Sequence, residues 1–229
     1  MQRRTAILEN WSSQRLPKDT PLADLRHMYD SDPGISVETL LSLAPRVLIP
    51  ATMKQTRQSF QKIFLPRNVN FAGNVFGGDF LQWMEECARL CAIGFADWPK
   101  FVTLNMSQVF FKAPVQMGDV VELLAEVVYV TTHTVHVQTS VKIHRQNGSE
   151  VVEDSHSGTF VCLCIHDGEN GGGKRPVGRQ LLVTGKDEDV DPEQQRINLL
   201  KYLGAKRCHE LFMGADFHNP DDSPITVHD

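Results

Sequence analysis

No apolar run in this chain approaches the roughly 20 residues that a membrane-spanning helix requires, and its beginning lacks a secretory apolar stretch. The expectation is a soluble intracellular protein, in the cytoplasm or the mitochondrial matrix. The compartment stays open because Arg3, Arg4 and Arg15 stand among Trp11, Ser12 and Ser13 with few acids. That pattern is faintly like a mitochondrial presequence and equally like an exposed helix. A basic excess is also lacking. With 23 Lys and Arg against 28 Asp and Glu, the net charge is −5, which excludes the broad phosphate neutralisation of a nucleic-acid binder. Any anionic ligand must therefore meet a local basic cluster. The five cysteines, Cys87, Cys91, Cys162, Cys164 and Cys208, are odd in number and show no CxxC spacing. They suit neither a disulfide framework nor a zinc site and fit a reducing intracellular compartment. No internal repeat is visible.

What is present divides into three parts. Residues 1–52 contain Pro17, Pro21, Pro33, Pro45 and Pro50, which allow only short helices such as Ser36–Leu43 and indicate an N-terminal extension. Residues 53–168 hold the patterned core of the chain. Residues 169–229 read as a Gly-rich basic loop, a charged helix over Pro192–Leu211 and a polar tail.

Within the central part, a strand is expected at Ser59–Leu65, ended by Pro66. From Gly78 to about Ala96 the residues Phe80, Leu81, Met84, Ala88, Cys91, Ala92 and Phe95 recur at helical spacing, which predicts a largely buried helix. Strands rich in Val, Phe and Thr follow at Phe101–Lys112, Asp119–Thr131, Thr134–Arg145 and Glu150–His166. Turns are read at Met117-Gly118-Asp119, Thr132-His133 and Asn147-Gly148, which makes consecutive strands antiparallel neighbours. The fold class is α+β: a long central helix wrapped by an antiparallel sheet, the hotdog fold.

The helix entry, Asn74-Val75-Phe76-Gly77-Gly78-Asp79, carries the chemistry. Glycines at a helix mouth let a carbonyl approach unpaired backbone N–H groups at the positive end of the dipole, where a developing oxyanion is stabilised. Glu85 and Glu86 follow within the helix. At 100° per residue, Glu85 falls at the edge of the apolar stripe and Glu86 nearer the opposite side. The stripe edge partly desolvates a carboxylate and still lets it face a pocket, so Glu85 is the better general base. A plain i,i+4 pair of Glu85 with Arg89 is the alternative. Asn74 is either a catalytic amide or the side chain of an Asx turn or helix cap, and Asp79 offsets the helix dipole. His133, His136, His144, His156 and His166 lie on or beside strands without metal-triad spacing and read as surface or strand-packing residues.

This segment resembles the hotdog acyl-CoA thioesterases, which carry N-x-F/H-G-G before an apolar helix containing Asp or Glu. The resemblance runs from about Met53 to Asp167. It includes Phe110-Phe111-Lys112-Ala113-Pro114-Val115 with Gly118-Asp119, and Thr132-His133-Thr134-Val135. It implies hydrolysis of acyl-CoA without a cofactor. The N–H of Gly78, aided by Gly77, would hold the carbonyl oxygen, Asn74 would orient thioester or water, and Glu85 would serve as base or as a nucleophile forming a mixed anhydride. Phe76, Gly77, Lys112 and Thr134 are the implied substrate contacts. Lys112, Arg145, Lys174, Arg175 and Arg179 are the cations available for the phosphates of coenzyme A. A non-catalytic acyl-CoA-binding hotdog protein and a hotdog hydratase or dehydratase are the alternatives.

Gly78 and Glu85 are seven residues apart, roughly 10 Å along a helix axis, whereas an attacking water must sit within about 3 Å of both base and carbon. A site shared by two chains resolves the mismatch. Family members are such dimers, often assembled into hexamers, so a homodimer and a trimer of dimers are expected.

Overall fold

The computed structural model describes residues 16–32, 34–44, 46–146, 148, 150–166, 173–183 and 191–213. The arginine-rich start, Asn147, the Gly-rich loop at 167–172 and the tail from 214 lie outside the described residues. The chain forms two compact units. One, up to Gly34 and from Val183, holds α1 (Leu22–Ser31) and α5 (Pro192–Met213), and Tyr29 meets Tyr202 edge to face there at 5.2 Å. The other, residues 35–182, holds all remaining elements. No helix among the described residues is long and apolar enough to cross a membrane.

The second unit begins with α2 (Val37–Leu43), the short strand β1 (Ala51–Thr52) and the one-turn helix α3 (Met53–Thr56). A capping box between Thr52 and Gln55 starts α3. Strands β2 (Gln58–Ile63), β3 (Phe101–Phe111), β4 (Val120–Val130), β5 (Thr134–His144) and β6 (Val151–Cys164) form one antiparallel sheet in the order β2-β4-β5-β6-β3. Another short strand, β7 (Leu181–Leu182), pairs in parallel with β1.

The central helix α4 (Gly77–Ala96) packs on this sheet through Phe80, Met84, Ala88, Cys91, Ala92 and Phe95. Burying the larger of these side chains contributes roughly 2 kcal/mol apiece. Trp83 and Cys87 join the buried face, while Leu81 is half-buried. The helix ends where Asp97 adopts left-handed geometry at φ 49°, two residues before Pro99. Together the long helix and five-stranded wrap are the hotdog fold.

One expected pairing is corrected. Consecutive strands β3 and β4 are not neighbours, because β3 pairs with β6 and forms the far edge of the sheet. The segment between them is no tight hairpin. It is a connector over residues 112–119, strapped to the helix-entry loop by the Val75 N–H to the Val115 carbonyl at 2.8 Å and by a bridge between Asn74 and Gln116.

Candidate active site

The entry to α4 is open. Phe76 precedes the helix without any side-chain cap on its first N–H groups, and the Phe76 ring itself is 61% exposed. Such uncapped N–H groups, at the positive end of the dipole, remain available to an external acceptor. Asp79 in the first turn accepts from the Asn68 amide at 3.1 Å. A Cβ on Gly78 would stand 2.8 Å from the Phe76 ring, so glycine is what permits the ring to lie against this turn.

Asn74 is half-buried, and its side chain is not the loop's turn-former. That role falls to Asn70, whose Oδ1 accepts from the N–H groups of Ala72 at 2.9 Å and Asn74 at 3.1 Å. The Asn74 side chain has no hydrogen-bond partner among the described residues. Asn74, Gly77, Phe80, Phe111, Lys112 and His156 are among the residues lining one cavity of about 240 Å³.

Part of the cavity wall is built by irregular strands. The β3–β6 register shifts between Ser107 and Phe110, and the β5–β6 register between Val141 and Ile143. In these stretches Gln108 and Asp154 take positive φ of 53° and 48°. Bulges of this kind re-aim side chains. Just past them, Phe111 and His156 stand opposite each other in the ladder. The His156 ring lies 4.4 Å from Phe80 and 5.0 Å from Phe111, centre to centre. It is 4% exposed, and burial pushes its pKa down to about 4, so the imidazole is neutral at physiological pH. His156 carried no site signal in the sequence; its neighbours Ser155 and Asp154 gave no motif, and only the bulges bring it to the helix mouth.

Glu85 is half-buried on α4, near enough to Cys162 of β6 to raise the pKa of that thiol. Among the described residues it makes no hydrogen bond and no ion pair, so the alternative pair with Arg89 is not formed. Glu86 instead accepts from Gln82 at 3.1 Å. Glu85 does not line the cavity of its own chain. The helix mouth and this carboxylate are separate surfaces, as their axial spacing requires.

Thr134 is not brought to the cavity. Its hydroxyl and N–H close the β4–β5 turn with Thr131 at 2.7 and 3.0 Å. It lies seven residues along β5 from Val141, the partner of His156, which is roughly 24 Å of strand. The cations also divide. Arg145 donates to Asp119 at 2.5 Å and to the Pro114 carbonyl at 3.0 Å, Arg175 stacks on Trp98 at 3.6 Å, and Arg179 donates to the carbonyls of Ile49 and Phe95. Of the five, Lys112 lines the cavity. Burial pushes the Cys87, Cys91 and Cys162 thiols up to about 12, which makes them poor nucleophiles.

The chain is similar to known proteins. The model of the thioesterase superfamily covers residues 72–152. Acyl-coenzyme A thioesterase 11 of Mus musculus is 32% identical over 119 residues, 51% of this chain and 19% of that protein. An uncharacterised acyl-CoA thioester hydrolase of Zymomonas mobilis is 29% identical over 129 residues, 54% of this chain and 82% of that protein. The chain thus spans about a fifth of the mouse relative's length. The crystal structure of a hexameric acyl-CoA thioesterase superposes with a TM-score of 0.56 at 22% identity, covering 70% of this chain and 98% of that one. Residues 72–152 are thus similar to the thioesterase superfamily, and the unit that carries them has the hotdog fold.

Proposed function

We propose that this chain hydrolyses acyl-CoA thioesters to free carboxylic acid and coenzyme A, in a site completed by two copies of the chain. The observation that carries this reading is the mouth of α4, where Gly77 of the uncapped first turn and an unpartnered Asn74 amide line one cavity, with Gly78 next in the chain. The activities for which the mouse and Zymomonas relatives are named support the substrate class.

In the proposed reaction the oxygen of water attacks the thioester carbon. The carbonyl oxygen gains charge and accepts hydrogen bonds from the N–H of Gly78, with Gly77 beside it. Glu85 of the partner subunit removes the water proton, Asn74 orients the thioester, and collapse of the intermediate breaks the C–S bond. Coenzyme A leaves as thiolate and takes up that proton. Phe76 flanks the entrance, and Lys112 supplies positive charge toward the phosphates. Thr134 has no part in this scheme.

The sheet edge supports the two-chain site. Among the described residues strand β3 stands at the sheet's edge and exposes Val102, Leu104 and Met106 at 39–42%, and an apolar edge strand is a template for pairing with another chain. The hexameric thioesterase of the same fold supports a trimer of dimers.

The test is thiol release from a series of acyl-CoA esters by the wild type, Glu85→Gln, Asn74→Ala and a co-refolded mixture of the two variants. Turnover by the wild type is expected, with kcat at least about 10²-fold lower in Glu85→Gln. The mixture should regain activity, because a hybrid dimer holds one intact site. Failure of the wild type to release thiol would overturn the activity, and failure of the mixture to recover would overturn the shared site.

A further inference from the structure

His156 is a buried imidazole whose hydrogen-bonding state can be worked out atom by atom. Its Nδ1 lies 3.0 Å from the Ser155 hydroxyl. That hydroxyl has one proton, which it donates to the Val141 carbonyl at 3.0 Å. The hydroxyl can then only accept from His156, so Nδ1 carries the ring proton and Nε2 is a bare acceptor. No residue among those described donates to Nε2. Tilted packing on Phe80 and an edge-to-face contact with Phe111 hold the ring, and the ring lines the cavity together with Gly77, Asn74 and Lys112. A neutral, oriented acceptor thus faces the space in which the thioester is proposed to lie. An acceptor open to the cavity and without a partner in the chain can take a donor from what enters there, so this placement favours a ligand that brings one.

We infer that His156 is a positioning residue whose Nε2 accepts the amide N–H of the thiol arm of the bound thioester. This inference rests on the thioesterase reading above. Lys112 identifies which side of the thioester the cavity receives. The thiol portion of an acyl-CoA ends in phosphates and the acyl portion in hydrocarbon, so a cavity with a cation at its lining suits the thiol arm. Along that arm, the donor closest to the sulfur is an amide N–H two carbons away. With the carbonyl oxygen at the Gly77/Gly78 mouth, an acceptor across the same cavity reaches that amide and sets the angle at which the C–S bond is presented. A water in the site is the competing donor, and the choice of substrates separates the two.

The experiment compares two thioesters of one carboxylic acid: the N-acetylcysteamine ester, which keeps the amide, and the S-propyl ester, which lacks it. Thiol release is measured for the wild type, His156→Phe and His156→Gln, with acyl-CoA turnover by the wild type as reference. His156→Phe keeps an aromatic ring but removes the acceptor. It should lower kcat/KM for the amide ester by about tenfold relative to the S-propyl ester. His156→Gln places a carbonyl oxygen about where Nε2 stood and should restore most of that ratio. Equal losses on both esters, or no loss on either, would overturn the assignment, because a packing role or a held water does not distinguish them. If the wild type fails on acyl-CoA, the thioesterase reading falls and this inference with it. Wild-type turnover with an unchanged ratio brings down this inference alone.

Discussion

Two polar clusters meet on the connector at residues 112–119, and they differ in how far their hydrogen bonds are satisfied. On one side, buried Asp119 accepts from the Gln116 N–H at 2.9 Å and from Arg145 at 2.5 Å, while Arg145 also holds the Pro114 carbonyl. Every strong group there has a partner inside the chain. On the other side stand uncapped glycine N–H groups, the free Asn74 amide and the bare Nε2 of His156. The satisfied cluster is a latch that shapes the connector. The unsatisfied one, a few residues away, keeps its capacity for something that binds.

Breaking the latch should have the largest effect on stability. Asp119→Ala leaves the largely buried Arg145 without its carboxylate, and urea unfolding should show a loss of about 3 kcal/mol. In contrast, Glu85→Gln should lower kcat at least about 10²-fold and leave the urea midpoint unchanged, since Glu85 holds nothing in place.

An intermediate effect comes from pH. Because burial depresses the pKa of His156 to about 4, the unfolded chain binds a proton that the folded chain refuses between about pH 6.5 and 4. Stability from this group is therefore complete above about pH 6.5 and is lost as pH falls toward 4. Between pH 7 and 5 the wild type should lose about 1–2 kcal/mol more than His156→Phe, allowing for residual solvent at the cavity. Equal slopes for the two proteins in urea titrations would contradict the buried neutral ring. The smallest effect is expected at the β4–β5 turn, where Thr134→Val should cost about 1 kcal/mol and leave thiol release unaltered.

Much of this was legible in the sequence. The 3.6-residue stripe marks α4, the Val-rich runs mark four strands, and the Asn74–Gly78 mouth and Glu85 stand out by residue type and helical phase. Three features were not legible, for physical reasons. A polar side chain's identity does not reveal whether its hydrogen bonds close internally, so Asn70 and Asn74 look alike while one builds the loop and the other faces the cavity. The same holds for Thr134, which is engaged in its own turn. Strand order is equally hidden when a connector such as 112–119 carries turn residues, for Gly118 and Asp119 signal a turn without saying which strands it joins. Alternation also fails on β3, where the register shift after Ser107 puts Met106 and Phe111 on one face despite their odd spacing.

Those irregularities set limits on how this sheet can change. Gln108 and Asp154 sit in a backbone conformation that costs a non-glycine residue about 1–2 kcal/mol. A straightened ladder, with the extra residues deleted, would spare the protein that strain. It would also flatten the wall on which Phe111 and His156 are mounted. Selection or design for thermostability alone therefore pushes this sheet toward a form without its pocket, and variants that gain heat resistance through β3 or β6 are the ones in which loss of ligand binding should be sought first.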